Sequence, residues 1–438
     1  MKRINKLNFI GIYFIILKRI INNSSLKDVS SIFLSNAIGQ FVFFLVTIFI
    51  ANHFGKSVFG TINYAKTLSN YIFIIASYGF PQILAREIIQ DKTNATKYIS
   101  NSLLIRVSIG IILLFGFILY FSYTANNFVE RTILILYAIN GFLLCLDIAQ
   151  SYDAFKKFRL NALIMIFSYY LVYFLIIIIL IFFLKTNNIV LIVSSLVFST
   201  FLYQLLNFGV FNKRVLKIKF EIEKNIILKL SKISFPFLLT NILGLIYMSF
   251  GLIWIQRKLG NDSTGIYSAA FSIISVLIII DSSVSRILLP KIFELNLNNN
   301  FSVHKKQLAK YITIKLAYIF PFTVILFFFS GFIIHSIYSE QYQESIPVLQ
   351  ILSCWFFFQA FTPLATYIYG TRNTSIFLIF YFIKDLVLIV FVLILVKYFG
   401  IIGAAWALFL NNFATVILLF ILVSNIMKGK RLLKTWIK

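Results

Sequence analysis

Acidic residues are scarce in this chain of 438 residues, with 14 Asp and Glu against 40 Lys and Arg, and histidine is scarcer still, with three. Two cysteines, Cys145 and Cys354, stand alone inside apolar runs with no CxxC or other ligand spacing. That pattern excludes a disulfide framework and a cysteine-built metal centre. His53, His304 and His335 are isolated and no GxxxxGK[ST] phosphate loop occurs, so neither a catalytic constellation nor direct ATP hydrolysis is indicated. No cofactor and no metal are expected. Charged residues make up only 12% of the chain. The predicted loops on one side are very short (54–57, 185–188, 261–264 and 399–401), which leaves no room there for a catalytic domain.

Apolar sequence fills the rest: 60% of residues are hydrophobic, the mean hydropathy is +0.92, and 51 are Phe. Uninterrupted runs of about 20 apolar residues predict membrane-spanning helices. About twelve fit, near 30–51, 60–83, 99–123, 132–151, 161–184 and 189–211, then 234–254, 265–289, 309–337, 346–369, 375–396 and 402–426. The net charge of +26 would suggest nucleic acid in a soluble protein. Here most basic residues fall between spans and on one side, as the positive-inside rule requires, so no nucleic-acid partner is expected. Placing both termini in the cytoplasm puts Lys156, Lys157, Arg159, the segment 213–232 and the tail 428–438 on the basic side. The short apolar run 9–17 reads as an uncleaved interfacial segment. In the linker, Lys217, Lys219, Lys224 and Lys229 alternate with Leu216, Ile218, Ile222 and Ile226. That pattern predicts a basic amphipathic helix on an anionic leaflet, or a hinge with a solvated face.

Small and amide residues recur at a constant distance. Asn36, Gly39, Gly55, Gly60 and Ala65 are followed, each 205 positions on, by Asn241, Gly244, Gly260, Gly265 and Ala270. A duplicated unit of six spans explains this, and an even number of spans makes the repeat parallel, since both copies then start on the same side. The expected organisation is a terminal segment 1–26, a first lobe 27–211, a basic linker 212–232, a second lobe 233–427 and a tail 428–438. The repeated Asn36, Gly39, Gly55 and Gly60, with Asn241, Gly244, Gly260 and Gly265, are expected to serve helix packing, because small residues let helices approach closely.

Ionisable groups deep in a span are costly and invite a functional explanation. Lys384 and Asp385 are the deepest, with Lys66 and Arg106 also well inside their spans and Asp147 and Asp281 nearer the cytoplasmic ends. Arg286 and Lys315 are expected to snorkel to the headgroups. Lys66, Arg106 and Lys384 are candidates for binding an anionic substrate, with a structural ion pair to Asp147, Asp281 or Asp385 as the alternative. Those three acids are equally candidates for binding a coupling proton or cation.

The run Leu26-Lys27-Asp28 leading to Ser35-Asn36-Ala37-Ile38-Gly39, then Phe54-Gly55 and Phe59-Gly60-Thr61-Ile62-Asn63-Tyr64-Ala65, resembles polysaccharide biosynthesis proteins. Ala76-Ser77-Tyr78-Gly79-Phe80-Pro81 with Arg86-Glu87, and late in the chain Phe399-Gly400-Ile401-Ile402-Gly403-Ala404-Ala405, add to the likeness. The resemblance is to Wzx-type O-antigen flippases of the multidrug/oligosaccharidyl-lipid/polysaccharide exporter superfamily. It implies an all-α integral membrane fold, MATE-like, with two six-helix lobes around a central cavity that opens alternately to each side. It implies as substrate an undecaprenyl-diphosphate-linked oligosaccharide, an O-antigen or capsule repeat unit, flipped outward across a bacterial inner membrane. Membrane lipids and other polysaccharide-assembly membrane proteins are the further partners it implies. The basic cavity residues implied for the family fall here on Lys66, Arg106 and Lys384. A flippase for another lipid-linked polymer precursor and a small-molecule antiporter of the same fold remain open; the short outer loops and the repeat disfavour a glycan polymerase.

Overall fold

A computed structural model describes residues 24–125, 127–185, 187–295, 301–370 and 374–427. The interfacial segment expected at 9–17 and the basic tail 428–438 lie outside the described residues. Among the described residues the chain is all helical, as a bilayer demands of any segment that must satisfy its own backbone hydrogen bonds.

In chain order the helices are α1 (Ser24–Ser77), α2 (Phe80–Gln90), α3 (Ala95–Thr124), α4 (Phe128–Cys145), α5 (Ala149–Ala154) and α6 (Phe158–Ile164). Two wide π-helical stretches, Met165–Leu171 and Ile179–Phe183, flank α7 (Val172–Ile178), and α8 (Ile189–Arg214) follows. Then come α9 (Lys224–Leu295), α10 (Phe301–Phe328), α11 (Ser330–Ile337), α12 (Ser345–Phe357), α13 (Thr362–Gly370) and α14 (Thr374–Met427). Nine stretches among the described residues are long and apolar enough to cross a membrane. Three of them are double: α1, α9 and α14 are each interrupted by one non-helical glycine, Gly55, Gly260 or Gly400. Among the described residues the passes therefore number twelve, as the hydropathy pattern predicts.

Gly55 (φ 78°, ψ 175°) and Gly260 (φ 83°, ψ −171°) share one backbone conformation. It lies in a region that side chains with a Cβ all but forbid, so the 205-residue repeat reproduces a turn as well as a composition. The packing positions differ more. A Cβ on Gly60 would run into the Asn261 carbonyl oxygen, and one on Gly265 into the Lys56 carbonyl oxygen. The missing side chain of Gly39 admits the Tyr170 ring, whereas Gly244 is exposed with nothing near it. Asn36 lies in α1, and Asn241 is half-buried in α9.

The chain divides into two compact units. Unit 1 takes in residues up to Val46 and Ser69–Leu238; unit 2 takes in Thr47–Leu68 and Leu239 onward. Unit 1 is centred on Phe80, Ile83, Leu84, Ile88, Ile99 and Tyr152, with Phe211, Ile218 and Leu230 brought in from the later part of its chain. A second cluster in unit 2 joins Leu288 and Ile292 of α9 to Tyr311, Leu364, Tyr367 and Leu419. Both units leave large side chains such as Ile112, Phe115, Phe332 and Ile383 uncovered, the outward apolar surface that a lipid solvent requires. The first part of the linker is not the amphipathic helix that its alternation allows. Residues 215–223 are not helical, and helix resumes only at Lys224, because unit 1 engages this stretch through its backbone groups, leaving it no free ladder of its own.

Candidate functional site: intramembrane charges and their surroundings

Lys384 lies in the middle of the first pass of α14. Its Nζ stands 3.5 Å from the centre of the Tyr247 ring and 5.0 Å from that of Tyr381. Ring faces carry partial negative charge and hold a cation without neutralising it. Tyr247 is fixed at its far end, where its hydroxyl donates to Asn412 Oδ1 at 2.7 Å and accepts from Trp355 Nε1 at 2.9 Å. No carboxylate oxygen lies within ion-pair distance of Lys384 among the described residues, and its side chain is half-exposed. Asp385, next in sequence, points elsewhere, as adjacent helical positions must. It is buried, and neither carboxylate oxygen has a hydrogen-bond partner among the described residues.

Lys66 also belongs to unit 2. It is exposed and unpaired among the described residues. Arg286 is exposed as well. Lys315 is not: instead of snorkelling it is fully buried and bonds Asp281 at 2.8 Å. Ser285 Oγ at 3.0 Å and Thr362 Oγ1 at 2.5 Å take its remaining protons, and the Tyr318 hydroxyl donates to Asp281 at 2.7 Å. Every charge in this group is answered, the arrangement of a structural pair.

Unit 1 holds the other two candidates. Arg106 of α3 is 1% exposed. Its Nη1 donates to the Asp147 main-chain carbonyl at 2.7 Å, its guanidinium faces the Phe80 ring at 5.5 Å, and Nε and Nη2 have no partner among the described residues. Asp147 stands where α4 gives way to α5. Its Oδ1 accepts from the Ala149 N–H at 3.0 Å, the Tyr203 hydroxyl at 3.1 Å and Asn207 Nδ2 at 3.1 Å. One carbonyl oxygen freed by the break, that of Asp147, is thus used by Arg106, which is how irregular backbone survives at membrane depth.

The structure therefore pairs Lys315 with Asp281, brings Arg106 to the main-chain carbonyl of Asp147, and, among the described residues, leaves Lys66, Arg106, Lys384 and Asp385 without ion pairs within 4 Å. Sequence reasoning missed the residues that make these differences: Tyr247, Trp355, Asn412, Tyr203 and Asn207. The available signal was polar residues inside apolar runs, above all Asn411-Asn412 in the last pass. Among the described residues no group of His, Cys, Asp and Glu has the arrangement of a metal site.

Comparison with known proteins gives the architecture its setting. The solved lipid II flippase MurJ, in an inward closed conformation, matches with a TM-score of 0.72 at 16% identity, over 91% of this chain and 87% of that one. An inward-facing multidrug resistance MATE family transporter of the MOP superfamily matches at 0.69 and 16%, over 93% and 96%. A MOP superfamily transporter from Pyrococcus furiosus matches at 0.65 and 15%, over 92% and 96%. At such identities the likeness is one of fold. No curated protein matches in sequence. Residues 25–296, more than half of the chain, match the family described as polysaccharide biosynthesis protein, and with its multi-pass, transporter-type fold the chain belongs to that family.

Proposed function

We propose that this protein is a flippase for an undecaprenyl-diphosphate-linked oligosaccharide, an O-antigen or capsule repeat unit, moving it from the cytoplasmic to the outer leaflet of a bacterial inner membrane by alternating access. The observation that carries the reading is Lys384, a deep cation held on aromatic faces with no bonded carboxylate. A diphosphate cannot leave water without replacement charge, since burying unpaired polar groups costs several kcal/mol each. Lys384 and the exposed Lys66 supply two such charges, while the apolar tail can stay in lipid. Arg106, sealed against Asp147, acts by positioning α3 against the α4–α5 break.

Asp385 is proposed as the coupling group. A buried carboxylate without hydrogen bonds is stable only when a proton or cation joins it, so its occupancy can follow an ion gradient.

The test is complementation of a strain lacking its own flippase, read as surface glycan at matched protein levels. Lys384→Ala and Lys66→Ala should each lower export at least about tenfold, one factor of ten being 1.4 kcal/mol of lost stabilisation. Lys384→Arg should retain part of it. Full export by Lys384→Ala together with Lys66→Ala would overturn the reading, and export of small cations in place of glycan would favour an antiporter.

A further inference from the structure

The segment 215–223 between α8 and α9 is pinned to unit 1. Ile218 is buried in the unit's apolar cluster, and its N–H donates to Asn212 Oδ1 at 2.8 Å. The Glu221 carbonyl accepts from Ser100 Oγ at 3.1 Å and Asn101 Nδ2 at 2.9 Å. The Glu223 N–H donates to Asn101 Oδ1 at 3.0 Å, and its carboxylate pairs with Lys97 at 3.0 Å. A strap held this firmly also fixes the side chains it leaves uncovered. Those are Phe220 and Ile222, 69% and 72% exposed, and the cations Lys213, Arg214, Lys217 and Lys219, all exposed and without an acidic partner within 4 Å among the described residues. Glu221, the one exposed acid of the strap, lies near Lys97, so the outward charge is positive.

The depth of the strap follows from its aromatic contact. Phe220 sits at the tip of a tight turn closed by the Glu221 N–H, which donates to the Lys219 carbonyl at 3.1 Å. Its ring stacks on Phe208 of α8 with centroids 6.2 Å apart. Phe208 ends a stripe on one face of α8 whose earlier members, Phe198, Phe201 and Leu205, are exposed. In a membrane-spanning helix that stripe faces hydrocarbon, and Phe220 extends it to where the helix ends at Arg214. This is the level at which acyl chains give way to headgroups and where aromatic and basic side chains concentrate.

We propose that residues 213–222 form a docking strap for anionic phospholipid: Lys213, Arg214, Lys217 and Lys219 take headgroup phosphates, and Phe220 and Ile222 enter the acyl boundary. The strap fixes the start of α9 against the leaflet, whatever cargo the protein carries.

The experiment uses the full chain in neutral detergent, offered equal phosphatidylglycerol and phosphatidylcholine, with bound lipid counted by native mass spectrometry. The wild type should retain phosphatidylglycerol over phosphatidylcholine by at least about fivefold, an attraction of the size expected for several cations at an anionic surface. The variant K213Q/R214Q/K217Q/K219Q should retain the two nearly equally at an unchanged unfolding temperature, and K213R/K217R/K219R should keep the preference. Should the fourfold variant fold poorly, K217Q/K219Q should halve the preference or lower it further. An undiminished preference in the glutamine variants would overturn the proposal. So would stronger retention of undecaprenyl phosphate than of phosphatidylglycerol, which would make the strap a cargo-capture surface.

Discussion

Among individual side chains, the intramembrane cations differ in their partners: Lys315 an aspartate, Arg106 a main-chain carbonyl, Lys384 two ring faces. Lys315 shares a face of α10 with Leu308, Tyr311 and Ile319, all buried, so it must either pair or destabilise the fold; Asp281 answers it. Removing one member of a buried pair costs about 3–5 kcal/mol, whereas replacing both with apolar groups is close to neutral. Lys315→Met alone, or Asp281→Asn alone, should therefore lower the unfolding midpoint in detergent sharply. Lys315→Met with Asp281→Leu should recover most of the loss, and equal losses in the single and double variants would show that the pair does not act as a unit. The sequence made the depth of these residues legible but not their partners. Reading depth alone, one expects Lys315 to snorkel; the spacing of its buried neighbours, three and four apart, is the signal that points inward. Nothing comparable marks Tyr247 as the support of Lys384, because the two meet from passes far apart in the chain.

At the level of elements, the repeat was legible as spacing while its physical meaning varied from one position to the next. Gly60 and Gly265 face backbone oxygens that cannot move aside, so Gly60→Ala or Gly265→Ala should destabilise by about 1–3 kcal/mol or more, the cost of overpacking. Gly244 has open space around it, and Gly244→Ala should be neutral or stabilise by up to about 1 kcal/mol through helix propensity. A ranking in the opposite order, measured by thermal unfolding, would refute the contact geometry. The twelve passes were readable because hydropathy is a property of single segments, whereas the linker's alternation left helix and hinge both open, because it serves an apolar contact by Ile218 and backbone bonds to α3. The turn between α2 and α3 adds a pH-dependent element. Asp91 accepts from Thr93 Oγ1 at 2.6 Å and Asn94 Nδ2 at 2.8 Å, and these bonds hold its carboxyl down at about 2. A depressed carboxyl contributes stability that is present above its unfolded value of about 3.9 and is lost as pH falls through the folded one. Amide protection at residues 94–98 should thus be constant from pH 7 to 5 and decline toward pH 2. In Asp91→Ala it should already be lower at pH 7 and show no such decline.

For the whole molecule, the segment 47–68 belongs by sequence to the first repeat and by packing to unit 2. Its anchors are buried apolar side chains such as Phe59, packed on Tyr338 and Tyr342, and polar side chains whose partners lie far off in the chain, so this crossing was not legible in the sequence. Asn52 donates to the Ile337 carbonyl at 2.8 Å and accepts from the Ser339 N–H at 2.9 Å, and the Tyr342 hydroxyl donates to the Ala51 carbonyl at 3.0 Å. Lys56 adds an ion pair with Asp262 at 3.5 Å, both side chains partly exposed. An exposed pair contributes about 0–1 kcal/mol, so Lys56→Ala alone should leave export within about fivefold of wild type. Locking the same contact is a different matter if the segment must part from unit 2 during each cycle. With Cys145 and Cys354 replaced by Ser, the variant Lys56→Cys/Asp262→Cys should export normally when reduced and stop when bridged by a short cleavable cross-linker. Export should return on cleavage. Undiminished export from quantitatively cross-linked protein would mean that segment 47–68 stays with unit 2 throughout.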